Sequence, residues 1–124
     1  MSRPSPLQRL SRKLDKTISA PFFIDQWMIL TGPHSEYKSL DWATLRPLIP
    51  PKDRYWADPF VIRRGDRYYV FVEEKLYGTG LGRIACLTLD AQGMLSSQQV
   101  VLERPYHLSY PFIFERGDGL YMIP

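Results

Sequence analysis

Cysteine is almost absent: Cys86 stands alone, which excludes an internal disulfide framework and a cysteine-rich metal site. Cys86 is expected to be a small buried hydrophobe, not a nucleophile. Long apolar runs are also missing, and none approaches the roughly 18 residues that cross a bilayer. Arg3, Arg9, Arg12 and Lys13 open the chain, but no continuous apolar stretch follows them. A signal peptide is therefore not expected, and a cytoplasmic location is. Charge of one sign is scarce. Sixteen Lys and Arg face thirteen Asp and Glu, and a dispersed net charge of +3 gives no reason to expect a nucleic acid partner. No His/Asp/Glu cluster has metal-ligand spacing, so no metal is expected. The Gly78-Thr79-Gly80-Leu81-Gly82 loop lacks the trailing Gly-Lys-Ser/Thr of a phosphate-binding loop and leads into no helix, so no cofactor is expected either.

Turn formers and aromatics are plentiful. Eleven prolines and eight glycines argue against long helices. Aromatics make up 14% of the chain and suit both pleated, half-buried surfaces and sugar-stacking sites. Residues 1–20 read as a basic leader with one short helix, in which Leu7, Leu10, Leu14 and Ile18 share a stripe. Packing of residues 7–18 on the domain is the plain expectation, and contact with a membrane surface the alternative. Phe22 to Thr31 is a strand candidate ending at Gly32-Pro33, and residues 33–54 read as a long, proline-marked connection. From Lys52 onward the pattern is strongly β. Trp56–Arg63 and Arg67–Glu74 flank the tight turn Arg64-Gly65-Asp66. Further strands are expected at Arg83–Leu89 and about Ser97–Leu102, with Asp90-Ala91-Gln92-Gly93 as the turn between them. Strands this short with turns this regular predict an antiparallel all-β fold.

The β pattern repeats. ADPFVIRRGDRYYVFV at 57–72 aligns without a gap to SYPFIFERGDGLYMIP at 109–124, so Pro59, Phe60, Gly65, Asp66 and Tyr69 match Pro111, Phe112, Gly117, Asp118 and Tyr121. The offset is 110 − 58 = 52 residues and contains about four strands. That is the content of a propeller blade, whose usual period is about 40–50 residues. Two similar hairpins in a β-sandwich would share the turn, but need not share the Pro-Phe entry and the register. Residues 21–124 are therefore expected to form an incomplete β-propeller of about two blades. Propellers close with roughly four to eight blades, so the sequence is expected to continue past Pro124.

Trp56-Ala57-Asp58-Pro59-Phe60, the Phe71-Val72-Glu73 strand end before a Gly-rich loop, His107-Leu108-Ser109-Tyr110-Pro111 and the hairpin Phe112–Pro124 together carry a resemblance. With an upstream Trp27 strand ending in Thr31-Gly32-Pro33, they resemble the N-terminal domain of glucosamine inositolphosphorylceramide transferases and its bacterial relatives, from about Phe23 onward. The resemblance implies a fold similar to the five-bladed propellers of family 43 and family 32 glycoside hydrolases. It implies, for this chain, an all-β partial five-bladed propeller behind a short N-terminal helix. In the plant proteins of that family the domain precedes a separate glycosyltransferase domain, which this sequence lacks. In bacterial relatives the propeller can occur without it.

Candidate site residues follow. Glycoside-hydrolase propellers aim carboxylates into the funnel from the inner ends of blades, one acting as acid and another as base or nucleophile. Asp58 begins its blade's inner strand, and Pro59 is expected to hold it extended. The resemblance implies the base or nucleophile role for that position; an aspartate capping a turn is the plainer alternative. Tyr110 takes the equivalent place in the next copy, where a sugar could stack on it. Its presence in place of a second aspartate weakens the hydrolase expectation. Of the adjacent Glu73 and Glu74 only one can face the funnel, and parity puts Glu73 on the face of Tyr69 and Phe71, as a weaker catalytic candidate. Trp56, His107 and Tyr110 are the expected substrate-binding residues. The expected partner is a glycan or sugar-containing small molecule, bound or processed by a domain of a glycosyltransferase-related protein. A family 43-like glycoside hydrolase and a non-catalytic protein-interaction propeller are the alternatives.

Overall fold

A computed structural model describes residues 25–33 and 41–124, which form eight strands and one 3-10 turn. The expected leader helix at 7–18, the beginning of the Phe22–Thr31 strand and His34 lie outside the described residues. Strands β1 (Ile29–Thr31) and β2 (Arg46–Leu48) pair antiparallel. Strands β3 (Arg54–Arg64), β4 (Arg67–Leu76), β5 (Gly82–Leu89) and β6 (Leu95–Leu102) form one antiparallel sheet in chain order. Strands β7 (Phe112–Arg116) and β8 (Gly119–Ile123) form a second hairpin. The described residues are all-β, in three open sheets that do not close into a ring. Among the described residues no helix is long and apolar enough to cross a membrane.

Local chemistry accounts for the hairpins. The β3–β4 ladder closes at Arg64 opposite Arg67, leaving Gly65-Asp66 as a two-residue turn in which Gly65 takes a φ of 61°. Glycine at the first central position, alone at positive φ, is the type II′ pattern that matches strand twist. Gly117 repeats it at φ 60°. Asp90 organises the β5–β6 turn, its carboxylate accepting from the N–H groups of Gln92 and Met94 at 2.9 and 2.8 Å.

Side-chain alternation builds the core. Val70 and Val72 of β4, Ala85, Leu87 and Leu89 of β5, and Trp56 of β3 pack against Ile29 and Leu48 of the small sheet. Of the strand expected over Phe22–Thr31, residues 25–28 are not strand, and among the described residues Ile29–Thr31 is the part that pairs. The expected connection at 33–54 is also more structured than its prolines suggested. Trp42–Thr44 form a 3-10 turn capped by the Asp41 carboxylate, and β2 follows. Pro47 is tolerated because, among the described residues, β2 has a neighbour on one side only. Gln26 extends its amide to the carbonyls of Pro51 and Arg54 at 2.9 and 3.0 Å, and the Trp56 N–H donates to Trp27 at 3.2 Å. These bonds tie the incoming chain to the start of β3.

Candidate functional site

The sequence repeat is a repeat of backbone. Phe60 faces Phe71 in the first hairpin and Phe112 faces Ile123 in the second, with every pair between them in the same order. The residue before the shared proline is unusual in both. Asp58 has φ 49° and Tyr110 φ 53°, the two non-glycine residues at positive φ among the described residues. The expectation that Pro59 holds Asp58 extended is overturned. The ladder jumps from Ala57–Glu73 to Phe60–Phe71, so Asp58 and Pro59 form a bulge opposite the single residue Val72. A left-handed conformation costs roughly 1–2 kcal/mol per residue, and aspartate tolerates it better than tyrosine.

The bulge turns Asp58 towards the second repeat. The Ser109 hydroxyl lies 2.7 Å from Asp58 Oδ2 and 2.5 Å from Glu73 Oε2, joining residues that are far apart in the sequence. His107 Nε2 lies 3.3 Å from Glu73 Oε1, and His107 Nδ1 accepts from the Gly82 N–H at 2.9 Å. Glu73 is 5% exposed and Asp58 is half-buried, while Tyr110, the residue after Ser109, is 74% exposed. The structure thus joins three of the five expected residues, Asp58, Glu73 and His107, through short polar contacts, and Tyr110 follows them only as the chain neighbour of Ser109. Chemically, this places a half-buried carboxylate, a buried one and an imidazole in one cluster.

Trp56, expected to bind substrate, is instead 1% exposed. Its indole N–H donates to Glu74 Oε2 at 3.1 Å, so its ring belongs to the core and not to the accessible site. The two adjacent glutamates separate as strand alternation requires. Glu74, fully buried, receives Arg54 Nη1, Arg83 Nε and Arg83 Nη2 on Oε1 at 3.0, 2.9 and 2.7 Å, and Gln98 Nε2 on Oε2 at 2.6 Å. Burial pushes the Glu74 carboxyl up, but the Trp56 indole and the two guanidinium groups outweigh it and hold it below the ordinary carboxylate range. The Arg54 guanidinium is pushed up chiefly by its bond to Asp53, and Arg83 is raised by its bond to Glu74 against the opposing effect of burial. This network holds the strands that carry the site. Lys75, two residues after Glu73, sits over the Tyr55 ring with Nζ 5.9 Å from its centroid.

Two residues of the site carried little signal in the sequence. Ser109 was visible only as part of the His-Leu-Ser-Tyr-Pro segment. Gly82 looked like one more loop glycine, yet a Cβ there would lie 2.5 Å from the Leu108 carbonyl oxygen and 2.9 Å from His107 Cε1. A cleft of about 840 Å³ lies elsewhere, lined by residues such as Thr31, Leu45, Arg46, Val61, Tyr68 and Gln92. None of the four clustered residues lines it, so volume and chemistry point to different places, and the chemistry has the convergent polar groups.

Residues 49–124 match the family described as Glucosamine inositolphosphorylceramide transferase 1, N-terminal. The Oryza sativa subsp. indica protein named Glucosamine inositolphosphorylceramide transferase 1 is 36% identical over 69 residues, which is 55% of this chain and 9% of that protein. The Arabidopsis thaliana protein of the same name is 35% identical over 71 residues, 56% of this chain and 9% of that protein. The alignment thus spans about a tenth of the length of these relatives. No solved structure matches. Asp58, Glu73, Gly82, His107, Ser109 and Tyr110 all fall within the matched stretch. The match covers more than half of the chain, which therefore belongs to the family of the N-terminal region of glucosamine inositolphosphorylceramide transferase 1.

Proposed function

We propose that this chain is the carbohydrate-binding or carbohydrate-processing part of a glycosyltransferase-related protein, built as part of a β-propeller, with its sugar site at Asp58, Glu73, His107 and Tyr110. The observation that carries this is the Ser109 hydroxyl lying between the Asp58 and Glu73 carboxyl groups, with the exposed Tyr110 next to it in the chain. Carboxylates accept from sugar hydroxyls, and an exposed aromatic face covers the apolar side of a sugar ring. The names of the plant relatives support a sugar-transfer setting. The four-stranded β3–β6 sheet followed by a repeated hairpin supports successive blades, and Phe60 meets Phe112 edge-on with ring centroids 5.5 Å apart where the two hairpins adjoin.

A glycoside hydrolase is the second reading. The nearest oxygens of Asp58 and Glu73 are closer than two hydrogen-bond lengths, comparable with the roughly 5–5.5 Å between the carboxyl groups of retaining glycosidases. Tyr110 in place of a second aspartate weighs against it. Glycan-array binding of the full-length protein tests the proposal. Wild type is expected to bind a subset of sugars, and Asp58→Asn and Tyr110→Ala to weaken that binding about tenfold or more, as loss of a charged hydrogen bond or of aromatic stacking does. Release of free sugar from a bound glycan would favour the hydrolase. Binding that both variants leave unchanged would remove the site, and binding to no sugar at all would favour a protein-interaction role.

A further inference from the structure

The segment 107–109 is clamped to one residue at the start of β5. Gly82 donates its N–H to His107 Nδ1 at 2.9 Å, and its carbonyl accepts from the Leu108 N–H at 2.9 Å. A ring nitrogen that accepts carries no hydrogen, so in neutral His107 the hydrogen sits on Nε2, the atom 3.3 Å from Glu73 Oε1. The other Glu73 oxygen meets Ser109, and Ser109 meets Asp58. Contacts this close need a residue without a side chain at position 82. A Cβ there would meet the Leu108 carbonyl oxygen at 2.5 Å, His107 Cε1 at 2.9 Å and Glu73 Oε1 at 3.1 Å.

We propose that Gly82, His107, Glu73 and Ser109 form a single hydrogen-bond relay ending on Asp58, in which Ser109 is the positioning residue that aims the Asp58 carboxylate and the Gly82 N–H selects the His107 tautomer. The relay deepens the sugar-site proposal and rests on its placement of Asp58 towards the ligand. Ser109 has one hydroxyl hydrogen for two carboxyl groups, so it donates to one of them, and the contact to the other closes as a hydrogen bond when that carboxyl carries a proton and donates to the Ser109 oxygen. The carboxyl oxygens not engaged by Ser109 are left to accept from a ligand. The site therefore takes a hydrogen-bond donor, such as a polyol hydroxyl, and disfavours an anion.

NMR on the full chain tests the relay without any sugar, so its failure is separable from failure of the glycan array. The chain has two histidines, and His34→Ala assigns the signals. The ¹⁵N shifts of neutral His107 are expected to show the Nε2–H form. The ¹³C carboxyl shifts of Asp58 and Glu73 are expected to move in a shared transition in wild type, to separate in Ser109→Ala, and to move together again in Ser109→Thr, which restores the hydroxyl. An amide spectrum that keeps its dispersion in Ser109→Ala excludes simple unfolding. An Nδ1–H ring, or carboxyl transitions unaltered by Ser109→Ala, would overturn the relay.

Discussion

The hairpins β3–β4 and β7–β8 share a turn, a register and a left-handed residue before proline, yet their surroundings and side chains differ. The first is backed by β5 and β6 and anchored by the fully buried Glu74. The second meets the first through Phe60 and Phe112 and through an exposed ion pair between Arg64 and Glu115. At the left-handed position one carries a short carboxylate that Ser109 contacts, the other a bulky ring left 74% exposed. Backbone strain recurring at the same place in both copies, with unlike side chains, shows that the repeat maintains a conformation and varies the chemistry displayed on it. Residues held in such conformations cluster at ligand sites, and here both lie beside the Glu73–Ser109–His107 group.

The largest expected effect tests the unequal anchoring. Glu74→Gln should cost about 3 kcal/mol in urea unfolding, because it leaves two guanidinium groups facing a neutral amide in the core. Glu115→Gln, which breaks the exposed pair in the second hairpin, should cost about 0–1 kcal/mol. Acid sharpens the contrast. The Glu74 carboxyl is held below its ordinary range in the folded chain, so its contribution is fully present above that range and is lost as pH falls through the folded value. Glu74→Gln should flatten the acid limb of a stability-against-pH curve, and equal slopes in wild type and variant would sink the assignment.

A smaller effect tests the shared strain. Tyr110→Gly should stabilise the fold by about 0.5–1 kcal/mol, the relief of left-handed strain less the extra freedom of an unfolded glycine. Asp58→Gly should gain less, because it also removes an oxygen that Ser109 contacts; thermal unfolding of the two variants side by side reads the difference. The smallest effect concerns Cys86, which faces Phe71 across the sheet behind the first hairpin. Burial pushes its thiol up, so it should resist thiol reagents in the folded chain and react once urea unfolds it. Rapid labelling under native conditions would mean that β5 is less firmly held than its burial indicates.

Much of the first hairpin could be read in the chain because its determinants are neighbours. Alternating Tyr, Val and Phe on either side of Gly65-Asp66 specify two strands and a turn, and parity alone separates Glu73 from Glu74. Trp56 misled because an aromatic beside a candidate acid looks like a sugar platform, while its burial depends on Glu74, Ile29 and Leu48, which no local pattern connects to it. The bulge at Asp58-Pro59 was equally hidden, since the local bias before proline points to extended backbone and the ladder overrides it.

Composition and spacing determined the all-β class, the glycine turns and the 52-residue echo, because each depends on residues within a strand or two of one another. The meeting of Asp58, Glu73, His107 and Ser109 was decided by tertiary structure, through a bulge, two left-handed residues and a glycine with no room for a Cβ. The physical reason is reach. A hairpin closes on its own hydrogen bonds, whereas a site assembled from three strands and a loop forms only after distant backbone segments have packed against each other.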